Sequence, residues 1–148
     1  MNEIEFWVVI GKLDWDESGD DEAVIEPVVE YLTTKSDEDI FQFEELLAQK
    51  LHALDTKDHA KEIGEDAYIN DDKYFSVDGF LYSRCLIVAN GKELFDSVLC
   101  KPKEFPKDME FEAILNIAQE AYEQKNDKEW AYVSPTDYET YKNANGWK

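Results

Sequence analysis

Apolar residues recur every three to four positions along most of this chain, which is the period of a helix buried along one face. Phe6, Trp7, Ile10 and Leu13 keep that period behind Asn2, a good N-cap, with Glu3 and Glu5 near the positive end of the helix. Val24, Ile25, Val28, Val29, Tyr31 and Leu32 define a second helix, with Pro27 in its first turn or at a kink. Ser36 opens the clearest one: Ser-Asp-Glu-Asp resembles a capping box, and Ile40, Phe43, Leu46, Leu47, Leu51 and Leu54 follow in register. A short helix over Asp58–Ile63 is expected to stop at Gly64, and Glu65–Tyr74 reads as polar turns.

The longest apolar run is Ser76–Gly91, SVDGFLYSRCLIVANG. It reads as a helix capped by Ser76, apolar on almost every side and therefore buried, ending at Gly91. Lys92–Leu99 continues as another helix, and the loop 101–106 is fixed by its two prolines. Asp108 is expected to cap a last long helix through Phe111, Ile114, Leu115, Ile117, Ala118, Ala121 and Tyr122. From Asn126 onward Trp130, Tyr132, Tyr138, Tyr141 and Trp147 show no steady period and are expected to cover the core. No segment reads as a strand. The pattern predicts an all-α fold: one compact domain over residues 1–148, about six helices around the buried run, with an irregular aromatic tail over 126–148.

Composition fits a globular chain, with 43% apolar and 14% aromatic residues and only four prolines and six glycines. The N-terminus lacks a basic region followed by an apolar one, and Asp78 and Arg84 interrupt the best apolar run, so neither a signal peptide nor a membrane span is expected. Cys85 and Cys100 form no CxxC pair and are expected to be buried thiols in a reducing, cytoplasmic setting.

Charge changes the picture more. The formal net charge is −20, and residues 1–45 hold fifteen acids against Lys12 and Lys35. Such a field repels nucleic acid and anionic membrane, and it speeds encounter with a basic protein.

No phosphate-binding loop, dinucleotide fingerprint, nucleophile elbow or zinc-protease helix is present, so no catalytic residue, metal or cofactor is expected. Asp14-Trp-Asp16-Glu-Ser18-Gly19 matches the first half of an EF-hand calcium loop. The match fails at its twelfth position, which is Ile25 instead of the closing glutamate, so a solvated acidic loop is expected. His52, Asp55 and His59 would share a face of an unbroken helix, but nothing completes a metal shell, and two surface histidines are expected. Arg84 is the only arginine, set in the apolar helix; buried there it requires partners, and Glu44, Glu45 or Asp78 are the expected carboxylates.

Asp78-Gly-Phe-Leu-Tyr-Ser-Arg84, then Leu86-Ile87, Asn90-Gly91, Phe95, Leu99 and Pro102, resemble the bacterial domain-of-unknown-function 4240 family, whose pattern runs D-G-F-x-x-F-R-x-W-L-I. The early Phe6-Trp7 pair and the helix start from Ser36 to Phe43 add to the resemblance, which covers about residues 4–105. Val77, Ser83 and Cys85 depart from the pattern. The resemblance implies a helical bacterial domain and supplies no reaction.

The leading expectation is an acidic interaction protein that binds a basic protein partner; in its sharpest form it is an immunity- or antitoxin-type protein covering a toxin. The expected contact residues are Asp14, Asp16, Glu17, Asp20, Asp21, Glu22, Glu26, Glu30, Asp37 and Glu38. The alternatives are an enzyme or small-ligand protein using Arg84 with Asp78, Asp71 and Asp72, whose pocket would open at the start of the buried helix, and a helical module of a larger assembly.

Overall fold

The computed structural model describes residues 1–148, and it is all-α, as the periods predict. Its helices are α1 (Glu3–Ile10), α2 (Asp21–Thr33), α3 (Asp37–Ala53), α4 (Lys57–Ala60), α5 (Val77–Ala89), α6 (Lys92–Cys100) and α7 (Ile117–Asn126). Short 3-10 turns lie at Trp15–Glu17, Pro102–Glu104, Glu112–Asn116 and Ala144–Trp147. None of the helices is long and apolar enough to cross a membrane. The chain gathers into two compact units, Met1–Leu47 with Ala113–Pro135 and Ala48–Glu112 with Thr136–Lys148, so α3 supplies residues to both.

The first unit is built from α1, α2, the first part of α3, and α7. Asn2 and Asp20 side chains accept the Glu5 and Ala23 amides, which fixes the starts of α1 and α2. Pro27 lies well inside α2, where it lacks the amide that would bond the Ala23 carbonyl. The apolar stripe Val24, Ile25, Val28, Val29 and Leu32 is buried together with Phe6, Ile40, Phe43, Ile114, Ile117 and Ala121. Phe41 stacks on Tyr132 at 4.6 Å, with Tyr122 and Trp130 at its edges.

The second unit is built around α5. Ser76 caps it by accepting the Gly79 amide at 3.0 Å, and nine of its thirteen residues are buried, from Phe80 to Ala89 with only Tyr82 partly open. Gly91, at φ 101°, turns the chain into α6 through a conformation that other residues resist.

Two expectations about local structure need correction. Asp108 does not cap a long helix: its φ is 59°, outside the range of an N-cap, and its carboxylate instead accepts the Glu65 amide at 2.7 Å. The Phe111 amide goes to the Tyr82 carbonyl, residues 112–116 tighten into a 3-10 turn, and α7 starts only at Ile117. The last segment also has a period. From Trp130 to Thr140 every second residue (Trp130, Tyr132, Ser134, Thr136, Tyr138, Thr140) turns inward, while Ala131, Val133, Pro135, Asp137 and Glu139 are exposed, as in an extended chain.

Candidate functional site

Glu22, Glu26 and Glu30 stand four residues apart on α2 and therefore form one exposed ridge on the face opposite its buried stripe. A groove of about 380 Å³ runs along this ridge toward α7, lined by Asp20, Glu22, Glu26, Glu30, Glu120 and Gln124 over a floor of Ala23, Ile25 and Val29. A second, of about 420 Å³, is lined by Asp14, Glu17, Glu26 and Glu30 with Ala23 and Pro27. No lysine or arginine lines either groove. Ala23 lines both grooves.

The electrostatics of the first groove are unfavourable without a counter-charge. Partial burial, then a hydrogen bond with Glu22 and the negative charges of Glu22 and Glu123, push the Glu120 carboxyl up to about 7. Burial and the neighbouring carboxylates disfavour a negative charge on Glu120, so it keeps a proton that an open carboxyl would lose. A cation placed beside Glu120 and Glu22 would release that proton.

Six of the ten expected contact acids, Asp14, Glu17, Asp20, Glu22, Glu26 and Glu30, line these grooves. Asp16 and Asp21 are exposed but line neither. Asp37 is engaged by Lys125 at 2.7 Å and by Asn126, which lower its pKa, and Glu38 accepts from Gln42 at 3.3 Å. The Asp14–Gly19 stretch forms a 3-10 turn: the Asp14 carboxylate accepts the Asp16 amide at 3.2 Å and Asp20 caps α2. Glu120 was not among the expected acids. It sits on α7, nearly a hundred residues from Glu22, and only the packing of α2 on α7 joins them.

Arg84 is fully buried, but no carboxylate bonds it, which corrects the expected pairing with Glu44, Glu45 or Asp78. Its Nη1 donates to the Leu51 carbonyl at 2.8 Å and the Tyr138 carbonyl at 2.9 Å, and Nη2 donates to Thr140 Oγ1 at 3.1 Å. The guanidinium also lies over the Phe80 ring at 4.6 Å. Burial lowers its pKa, opposed chiefly by the charge of Asp55. Asp78, Asp71 and Asp72 are exposed, and Asp71 accepts from the Tyr68 hydroxyl, whose pKa that bond raises to about 12.

A cleft of about 350 Å³ does open at the start of α5. It is lined by Ser76, Gly79 and Ser83 with Glu65, Asp66, Asp108 and Glu110, and by none of Arg84, Asp78, Asp71 and Asp72.

The histidine set is not gathered either. His59 is buried, not at the surface as expected: Nε2 donates to the Val98 carbonyl at 2.8 Å and Nδ1 accepts from Thr56 Oγ1, a pattern for the neutral ring, and burial lowers its pKa. Asp55 is also fully buried and turns to residues 141–147, while His52 stays half-buried. Of the two cysteines, Cys85 is buried as expected and Cys100 is exposed, because it ends α6 on the open side.

These features define an acidic all-α protein with three concave surfaces lined by carboxylates. The chain belongs to the DUF4240 family, described as proteins of unknown function, whose family model matches residues 1–124. The match is wider than the resemblance seen from the residues alone. No curated protein and no solved structure matches the chain.

Proposed function

We propose that this protein is an interaction protein that binds a basic partner protein through the two grooves flanking the Glu22–Glu26–Glu30 ridge. The observation that carries this reading is the groove in which five carboxylates converge without a cation and in which Glu120 retains a proton up to about pH 7. Lysine or arginine side chains inserted there replace carboxylate repulsion with charge-assisted hydrogen bonds. The apolar floor of Ala23, Ile25 and Val29 suits the methylene stems of those side chains. The finer form of the proposal is an immunity- or antitoxin-type protein that covers the basic surface of a toxin, with the excess negative charge speeding encounter.

The test separates the grooves from mere net charge. Capture from lysate at low salt identifies a partner, and its affinity is then measured for two triple variants of equal charge. Glu22→Gln/Glu26→Gln/Glu30→Gln removes the ridge, and Asp16→Asn/Asp21→Asn/Glu38→Gln removes three acids outside the grooves. The expected result is an affinity that falls with salt and drops at least ~10-fold more for the ridge variant than for the control. Equal losses, or indifference to salt, would overturn the reading.

A further inference from the structure

The two buried charges of the second unit both bond the same short stretch of chain, although the buried Arg84 Nε has no partner. Arg84 gives two of its three hydrogen bonds to residues 138–140, through the Tyr138 carbonyl and Thr140 Oγ1. Asp55 accepts the Tyr141 amide at 3.2 Å, the Asn143 amide at 3.0 Å and Trp147 Nε1 at 2.8 Å. Thr140 Oγ1 passes its own proton to the Val77 carbonyl at 2.8 Å, and Asn143 Nδ2 donates to the His52 carbonyl at 3.0 Å. The Trp147 ring lies among Tyr68, Phe75 and Phe80, at 5.4, 6.3 and 6.2 Å between ring centres. Gly146 lies so close to the turn before α4 that a Cβ there would meet the Asp55 carbonyl at 2.7 Å.

The segment is held as a bound peptide is, in a turned conformation that bends at Tyr141 and closes in the 3-10 turn Ala144–Trp147. A cation takes a carbonyl and a hydroxyl, an anion takes two backbone amides and the indole N–H, and an aromatic cradle takes one ring. The segment behaves as a ligand in its weaknesses too. Tyr141, Lys142, Ala144 and Asn145 are exposed, so little apolar area holds it beyond the one indole. Tyr141 is held at φ 79°, a conformation that strains a non-glycine residue. The residues that read the segment lie within the part of the chain matched by the family model, and the segment lies beyond it.

We infer that Arg84 and Asp55, with the Tyr68–Phe75–Phe80 cradle, form a peptide-binding site, and that residues 138–147 are its resident, displaceable occupant. The ligand class is a turn-forming peptide with a hydroxyl side chain at the Thr140 position and an aromatic one at the Trp147 position. The site lies in the second unit and is independent of the acidic grooves.

The full-length chain tests this with a fluorescent synthetic peptide of residues 136–148 as the probe. In the wild type the tethered segment outcompetes the probe, since a short tether acts at millimolar effective concentration. Trp147→Ala loosens the tethered segment and leaves the reading residues intact, so the probe is expected to bind this variant at least ~10-fold more tightly than the wild type. Adding Asp55→Asn is expected to abolish that gain, and a probe with alanine at position 147 is expected not to bind. Equal probe binding to wild type and Trp147→Ala, or binding that ignores Asp55→Asn, would overturn the inference. Loss of helical circular dichroism in Trp147→Ala would overturn it as well, since the segment would then be indispensable to the fold. Hydrogen exchange on the wild type gives a second reading: the Tyr141 and Asn143 amides should exchange through an opening that leaves α5 protected, and a single shared opening refutes a displaceable segment.

Discussion

Replacing Glu44 by glutamine removes a negative charge and keeps the shape of the side chain. Glu44 sits on α3 at 7% exposure, and burial, followed by the charge of Glu45, raises its carboxyl from 4.5 to about 7. In the unfolded chain the same carboxyl ionises near 4.5, so between pH 4.5 and 7 the folded protein holds a proton that the unfolded one has lost. Stability from this group is therefore full at low pH and falls as pH rises through that window. At pH 8 the folded chain carries a buried carboxylate at a cost of about 3 kcal/mol, and at pH 5 the cost is under about 1 kcal/mol. Glu44→Gln is thus expected to stabilise the protein by about 3 kcal/mol at pH 8 and by under about 1 kcal/mol at pH 5. Urea unfolding followed by circular dichroism at both pH values measures the difference directly, and other titrating groups cancel between variant and wild type. A variant no more stable than wild type at pH 8, or a gap that does not shrink at pH 5, refutes the reasoning.

Other substitutions probe the remaining structural claims. Gly64→Ala places a Cβ 2.3 Å from Asp108 Oδ1 at a φ of 115°, and calorimetry should show a loss of about 2 kcal/mol or more; an unchanged melting temperature contradicts the turn geometry. Arg84→Met leaves the Leu51 and Tyr138 carbonyls and the Thr140 hydroxyl without their donor, and is expected to cost about 3 kcal/mol and to perturb Trp147 fluorescence. His59 has its pKa held below 6.5 by burial, so the unfolded chain takes up that proton first and stability is lost as pH falls below 6.5. Its ring protons, followed by nuclear magnetic resonance, should titrate below 6.5, and a midpoint above that value contradicts the buried neutral ring.

The helix starts were legible because their signals are local. Asn2, Ser36 and Ser76 each accept an amide three residues on, as their position before an apolar period predicts. Arg84 was legible as a buried charge, but not its partners: main-chain carbonyls leave no trace in a sequence, whereas carboxylates do. Asp55 was noticed only as a member of the set with His52 and His59; its burial depends on amides 86 and 88 positions away. The inward alternation from Trp130 to Thr140 was present in the sequence as aromatic and hydroxyl residues at every second position. It was hidden because Ser134, Thr136 and Thr140 are not hydrophobic. The acids of the α2 ridge were noticed from charge density alone; their alignment on one exposed face came from the helix. Glu120 was not, since on α7 it is one acid among several until the fold sets it beside Glu22.

Folding explains the buried charges better than it explains the ridge. Asp55 and His59 end on well-placed partners, and Arg84 does so through both Nη atoms though its buried Nε has no partner, so each contributes to holding its unit together. Glu22 does the opposite: it crowds Glu120, adds to the burial that raises that carboxyl to about 7, and gains no cation in the groove in return. Glu22→Gln removes one charge of the pair, so Glu120 should titrate closer to 4.5, as carbon-detected resonance of its carboxyl would report. The same variant should melt higher than wild type at pH 8, because carboxylate repulsion in the groove falls. If the groove serves a basic partner, this more stable variant should also bind that partner less tightly, the opposite sign from the stability change. Stability and affinity that rise or fall together at Glu22 would mean that the ridge is an ordinary solvated surface.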